Sequence, residues 1–375
     1  MEENFFIKGY WQNNFGDDLF VQAICDRYPN CTFYLESNKK NLKVFEKIDN
    51  LILLEIKNDF FSKVIRKIRY PRIGYSHYYH LSKSVKNYIE IGGSIFMLED
   101  KKGKDYVLKQ RRKMRKLAKK YFVIGSNFGP FYFQEQLVSY NNFFKETNGV
   151  VFRDKKSFHL FSDLSNVSLA PDVVFNYSLR EKKLNNGYNN YIVISVINLH
   201  GRKGFSIKDV EMYENWLEKV CSHFVKLKKK VVLMGFCESE RDNEVLNRIK
   251  VRLDPKLAAD VIYYTHKTLN ESLQYMYNAE LIIATRFHAM ILGWLFSKPT
   301  FVISYSPKII ETIKTWFPKQ AYTEIFQLND YNYQNIQNDA TKIPNDCLNE
   351  LIKAAENQFK YVDLYLNSKN DRTGV

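Results

Sequence analysis

The stretch Glu280–Lys308, ELIIATRFHAMILGWLFSKPTFVISYSPK, constrains the fold more than any other part of the chain. Leu281 to Ala284 form a short unbroken apolar run with two adjacent isoleucines, the pattern of a strand buried on both faces of a parallel sheet. Ala289 to Phe296 suit a buried crossover helix. After Pro299, Phe301, Val302 and Ile303 give a second buried strand. The unit is therefore predicted to be βαβ, with two parallel strands and a right-handed crossover. Ligands bind such units beyond the carboxyl ends of the strands. Here those ends carry Arg286, His288 and Lys308.

Each of these side chains alone admits a structural role: Arg286 capping the sheet, His288 packed in the turn, Lys308 in solvent. Together, at adjacent strand ends, they suit an anion. Arginine offers a planar fork for phosphate or carboxylate, lysine a point charge, and the helix start its backbone N–H groups. Histidine adds a group that moves a proton near neutral pH.

The same alternation of strand, loop and helix recurs along the chain. Phe5 to Ile7 predict a first strand, followed by the loop GYWQNNFGDD and a helix from near Asp18. Asn14, Gly16 and Asp17 lie at that helix start, where short polar side chains cap N–H groups. The same loop, with Trp11, Gln12 and Phe15, offers the hydrogen bonds and aromatic faces of a sugar-binding loop. Thr32 to Leu35 and Leu51 to Leu54 predict further strands, and Phe60 to Arg69 a basic helix. Tyr88 to Ile91 run into Gly92, Gly93 and Ser94, where a glycine pair lets backbone approach a ligand or a neighbouring loop. Phe122 to Ile124 lead into GSNFGP, with Ser126. Val150 to Phe152 lead into Arg153 and Asp154, and a third strand ends near PDVVF.

The polar segment Leu179–Asn190 predicts a domain linker. A second series follows at Tyr191 to Val196, Val231 to Met234 and Val261 to Tyr264, and the βαβ unit at Glu280–Lys308 completes it. The expected class is α/β, with two Rossmann-like domains at residues 1–180 and 190–345. Cys347 to Leu366 predict one long helix in a segment 346–375 that crosses back to the first domain.

With 375 residues and 45% hydrophobic content, the chain is long enough for two cores, which excludes a disordered chain. Its net charge of +15 implies an acidic partner. Residues 101–120, KKGKDYVLKQRRKMRKLAKK, hold 11 basic residues and one acid. Tyr106 to Tyr121 predict an amphipathic helix with Val107, Leu108, Met114, Leu117, Ala118 and Tyr121 on one stripe. Its basic face fits either solvent or anionic lipid headgroups. Nucleic acid is not expected, because no helix-turn-helix, zinc-finger or RNA-binding signature accompanies the patch. The five cysteines lack any CxxC pair and suit reduced cytosolic thiols, and no metal site is expected. The acidic start MEENFFIKGY runs straight into a strand, so neither a signal peptide nor a membrane span is expected. The expected location is cytoplasmic, peripheral on the inner face of the membrane through residues 101–120.

Taken together, NNFGDD at 13–18, IGGS at 91–94, GSNFGP at 125–130, FRDKKS at 152–157, PDVVF at 171–175, TRFHAMILGWLFSKP at 285–299 and ISYSPK at 303–308 carry a resemblance. In this order and spacing the chain resembles the polysaccharide pyruvyl transferase family over most of residues 8–310. The resemblance implies a two-domain, glycosyltransferase B-type fold with its site in the cleft between the domains. It implies transfer of the enolpyruvyl group of phosphoenolpyruvate to two hydroxyls of a sugar, in a glycan or a lipid-linked precursor. The products are a pyruvate ketal and phosphate, and no cofactor is needed. An Arg-x-His pair of the family matches Arg286 and His288, the lysine after the following strand matches Lys308, and an Arg-Asp pair matches Arg153 and Asp154. The implied roles are donor binding for Arg286, Lys308 and Arg153 and proton transfer for His288. Asn14, Asp17, Gly92, Gly93 and Ser126 are the acceptor or loop candidates. Ser94 stands where the family often has a third glycine.

Two other readings stay open. One is a nucleotide-sugar-dependent glycosyltransferase of the same fold and of cell-surface polysaccharide synthesis, for which Glu311, ahead of Glu238 and Glu240, is the candidate to hold a ribose diol. The other is a non-catalytic binder of polysaccharide or nucleic acid.

Overall fold

Short apolar runs that alternate with helices assemble here into two wholly parallel sheets. The computed structural model describes residues 3–70, 74–101, 103, 105–177 and 191–370. The predicted linker Leu179–Asn190 lies outside the described residues.

The first sheet comprises β1 (Asn4–Lys8), β2 (Thr32–Ser37), β3 (Leu51–Glu55), β4 (Asn87–Ile91), β5 (Lys120–Ser126), β6 (Gly149–Phe152) and β7 (Val167–Leu169). Its order is β3-β2-β1-β4-β5-β6-β7. The second comprises β8 (Tyr191–Val196), β9 (Lys230–Gly235), β10 (Val261–Thr265), β11 (Leu281–Ala284), β12 (Thr300–Ser304) and β13 (Tyr322–Glu324). It runs β10-β9-β8-β11-β12-β13. In each sheet the chain starts at the middle, winds to one edge, then returns to wind the other way. The winding reverses between β1 and β4, and again between β8 and β11. Diverging loops at such a point leave a crevice at the strands' carboxyl ends.

The βαβ unit predicted at Glu280–Lys308 is present, with β11 beside β12 in the register Ile282 to Thr300 and Ile283 to Phe301. Every residue of its helix, Phe287–Leu295, is buried. That explains why the stretch shows no amphipathic period: the helix has no solvent face to mark. No helix among the described residues is long and apolar enough to cross a membrane.

Chain contacts divide the molecule into two compact units at boundaries that differ from the predicted ones. Gln12–Leu19, expected in the first domain, group with the second unit. The cause is local: the Phe15 amide donates to Phe236 O at 2.9 Å, and the Phe15 ring stacks on His266 at 5.0 Å. The second unit continues to Leu351, and the chain from Ile352 onward belongs to the first.

Two helices also differ from expectation. The predicted helix from Cys347 to Leu366 is broken into Asn345–Ala355, a 3-10 turn at Glu356–Phe359 and Lys360–Asn370. The break turns the Gln358 amide inward, where it bonds Ala170 O, Pro171 O and the Gly125 amide. The basic helix spans Tyr106–Leu117 and stops short of Tyr121, which lies in β5 and stacks on Tyr88. Arg111, counted on its solvent face, is instead buried, with Nε donating to Glu90 at 2.9 Å and the guanidinium 4.1 Å from the Phe96 ring. A carboxylate inside β4 needs a partner when desolvated, and Arg111 supplies it.

Candidate functional site

The site of the second unit is built at the reversal between β8 and β11. The chain leaving β11 is fixed by backbone: the Thr285 and Arg286 amides donate to Ser195 Oγ of β8 at 2.9 and 3.1 Å. Arg286 then caps the helix Phe287–Leu295, so its side chain stands where that helix presents its positive end.

Arg286 is buried, and its guanidinium is already engaged. One terminal nitrogen pairs with Asp242, the other donates to Glu240 Oε2 at 2.5 Å, and Nε donates to Val196 O at 3.3 Å. These carboxylates hold its proton more firmly than an ordinary arginine does, against the cost of burial. Asp242 is fully buried and accepts further bonds from the amides of Phe236, Cys237 and Asn198 at 2.9, 3.0 and 3.2 Å. It is thus a fixed anchor that ties the loops after β8 and β9 to Arg286. Between the two acids, Arg241 takes a left-handed conformation with φ 61°, an uncommon one for a residue with a side chain.

Glu240 is the freer of the two acids, with its side chain 27% exposed. It also pairs with Arg202. Burial pushes its carboxyl up, but Arg286 first, then Arg202 and Lys308, outweigh that and hold it below the usual carboxylate range. Lys308 is in the first turn of the helix Pro307–Trp316, with Nζ 5.8 Å from the Tyr305 ring. The Arg202 guanidinium is 5.7 Å from the same ring. Three cations therefore surround one partly exposed carboxylate.

His288 is buried in the first turn of its helix, and Gly16 lies against it. A Cβ on Gly16 would fall 1.7 Å from His288 Nδ1, so only glycine admits this ring position. Asn14 supports that contact by accepting from the Gly16 amide at 3.3 Å. Asp17 is buried in the same segment. Its neighbour Asp18 meets His266 Nε2 at 3.2 Å, and His266 Nδ1 meets Ser272 at 2.6 Å. Burial pushes the Asp18 carboxyl up, against the pull of His266. All three are buried, so this chain of polar groups latches Gln12–Leu19 in place.

The remaining candidates belong to the first unit. Arg153, expected as a donor-binding cation, is 3% exposed and paired with Asp172 at 2.7 Å. It also donates to Asn127 Oδ1 at 3.1 Å, and Ser94 Oγ donates to the same oxygen at 3.1 Å. Gly93 packs on the guanidinium, where a Cβ would come within 2.4 Å of a terminal nitrogen. Arg153 therefore braces the glycine loop with its charge balanced inside the unit. Ser126, expected in an acceptor loop, is fully buried, and its hydroxyl donates to Gly92 O at 2.7 Å. Where β1 and β4 diverge, a cavity of about 270 Å³ is lined by Lys8, Gly9, Tyr10, Ser94, Gln110 and Arg111.

The second unit thus gathers Arg286, His288, Lys308, Asn14 and Asp17, and the first holds Gly92, Gly93, Ser126 and Arg153. Sequence reasoning missed Arg202 and Asp242 and gave Glu240 a different role. The available signal was position: Arg202 and Glu240 lie in the loops after β8 and β9, beside the strand whose end carries Arg286.

A family model described as polysaccharide pyruvyl transferase matches residues 14–307. Among solved structures, UDP-N-acetylglucosamine 2-epimerase from Rickettsia bellii is 10% identical with a TM-score of 0.59, covering 99% of this chain and 98% of that one. Anabaena Alr3699/HepE, in complex with UDP-glucose, is 10% identical with a TM-score of 0.54, covering 100% of both chains. At such identity these likenesses show the fold alone, and it is the expected glycosyltransferase B-type class with two parallel α/β sheets. A search of curated protein sequences gave no match.

Proposed function

We propose that this chain, which belongs to the polysaccharide pyruvyl transferase family, moves the enolpyruvyl group of phosphoenolpyruvate onto two hydroxyls of a sugar. The product is a pyruvate ketal on a polysaccharide or its precursor, and phosphate leaves.

The observation that carries this reading is the cluster of Arg202, Arg286 and Lys308 around Glu240, next to a helix start that bears His288. Phosphoenolpyruvate brings a phosphate and a carboxylate, and both need fixed cations. Glu240 is the stand-in for one of them. Its carboxylate sits between two arginine forks as a substrate carboxylate would, on a loop with a partly exposed side chain. Donor binding displaces it, while Asp242, fixed by three amides, keeps Arg286 aimed.

The chemistry then asks for one proton carrier. His288 gives a proton to the methylene carbon, which becomes a methyl group, as the first sugar hydroxyl adds to the neighbouring carbon. The C–O bond to phosphate breaks, and the second hydroxyl closes the ketal on the same carbon. The two hydroxyls release two protons: one restores His288 and the other leaves with phosphate. No cofactor takes part. Asn14 and Asp17, in the segment against His288, and the Gly92–Gly93 loop are the acceptor-side groups, while Ser126 and Arg153 serve as braces.

Phosphate release is the direct test. It is expected from phosphoenolpyruvate only when a saccharide acceptor is present. The competing reading, a nucleotide-sugar glycosyltransferase, draws on the fold shared with HepE, which was crystallised with UDP-glucose. Thermal stabilisation by UDP and none by phosphoenolpyruvate would decide for that enzyme.

A further inference from the structure

We propose that the helix Phe60–Arg69 seats this protein on an anionic lipid surface. Its sequence is FFSKVIRKIR, and none of its ten residues is buried. Phe60, Phe61 and Ile68 are 75%, 77% and 74% exposed, and Val64 and Ile65 are also exposed. At the helical period of about 100° per residue, these five side chains fall within an arc of roughly 140°. Lys63, Arg66, Lys67 and Arg69 occupy the remainder, with no acid among them.

A surface helix of a globular unit normally turns such a stripe to the core. This one turns it to solvent, although the helix is well fixed. Asp59 caps it by accepting from the Ser62 amide at 2.9 Å, and Arg66 donates to Lys57 O at 2.6 Å.

The charge distribution selects the occupant. An apolar stripe bordered by cations along its whole length matches the interface of an acidic membrane, where apolar side chains enter the acyl boundary and cations meet headgroups. The surface continues beyond the helix. Tyr70, its C-cap, has Lys113 Nζ 5.8 Å from its ring, so Tyr106–Leu117 adjoins it with exposed Lys109, Arg112 and Lys116. The basic patch noted in the sequence is thus the electrostatic margin of a contact whose apolar centre is Phe60–Ile68.

The test is co-sedimentation of the full chain with vesicles containing phosphatidylglycerol and with vesicles of phosphatidylcholine alone. Binding is expected to the first and not the second. Because the side chains are exposed, the double variant Phe60→Ser, Ile68→Ser is expected to keep its melting temperature and to lose roughly tenfold or more in binding. Lys63→Glu with Lys67→Glu should lose a similar factor at low salt. The proposal fails if the native chain ignores anionic vesicles or binds neutral ones equally. It also fails if the serine variant binds as the native chain does. Conversion of a dimer to a monomer by the serine variant, seen in sedimentation, would instead assign the stripe to a second copy of this chain.

Discussion

At the scale of single residues, the site depends on a glycine as much as on a histidine. Replacing His288 with alanine removes the proposed proton carrier and is expected to cost roughly 10²–10⁴ in turnover. Gly16→Ala is expected to approach the same loss, because its Cβ would occupy the space of the His288 ring while alanine suits the helix that starts at Phe15. Binding of phosphoenolpyruvate should change little in either variant. Comparing turnover with donor binding in the folded fraction separates this from simple destabilisation, which would lower both through the melting temperature. Glu240 gives an opposite signature. Its folded pKa is depressed, so its stabilising contribution is present above the unfolded value near 4.3 and is lost as pH falls through the lower folded value. Glu240→Gln should therefore cost about 1.5–3 kcal/mol at neutral pH, the usual worth of a charged hydrogen bond. The gap from the native chain should close under acid. The same variant is expected to bind phosphoenolpyruvate roughly tenfold more tightly, since Arg202 and Arg286 lose their competitor. Chemical denaturation across pH and donor titration measure the two effects, and weaker donor binding in Glu240→Gln would show that the glutamate is no stand-in.

At the scale of elements, what could be read from the chain was whatever a single element decides alone. The β11 to β12 unit was legible because burial on all sides leaves an unbroken apolar run. Phe60–Arg69 was legible to the residue because capping by Asp59 and strong two-faced periodicity agree. Tyr106–Leu117 was overextended for a related reason. Tyr121 continues the helical apolar stripe, and only the pairing of β5 with β4 pulls it into a strand. Arg111 counts with the basic face in the sequence because its partner Glu90 lies in a different element, although a glutamate inside the apolar run NYIEI is a signal that a buried cation must meet it. The candidate site follows the same rule. Arg286 and His288 could be placed at a strand end from sequence, because β11 and its helix are contiguous. The partners of Arg286 could not, because Asp242 and Glu240 reach it only once β8 has come between β9 and β11. The partners of Arg153 are hidden in the same way: its fork looks available in the sequence, and only the fold brings Asp172 and Asn127 to it.

At the scale of the whole chain, the last elements complete the first unit. Glu3, just ahead of β1, accepts from Lys369 and Tyr365, and Asp363 meets Arg27 and Tyr28. Gly149 lacks a side chain where Tyr361 packs, since a Cβ there would lie 2.2 Å from that ring. The centre of this return is Gln358, buried with one amide satisfying three backbone groups: the Gly125 N–H in β5, and the Ala170 and Pro171 carbonyls after β7. None of the three can reach water in that place, so each would carry its own desolvation cost if the amide were removed. Gln358→Ala is therefore expected to destabilise the first unit by more than an ordinary polar truncation, about 3–5 kcal/mol, because three buried backbone groups lose their partner at roughly 1–3 kcal/mol each before the structure relaxes. Hydrogen exchange locates the effect. Protection should fall in β5 and β6 and stay unchanged in β9 and β11 of the second unit. Gln358→Glu, which keeps the shape but cannot donate to the two carbonyls, should lose as much, whereas a purely volumetric role for Gln358 predicts that glutamate is tolerated. Equal protection in β5 for the native chain and both variants would mean that the returning segment is held by its ion pairs alone.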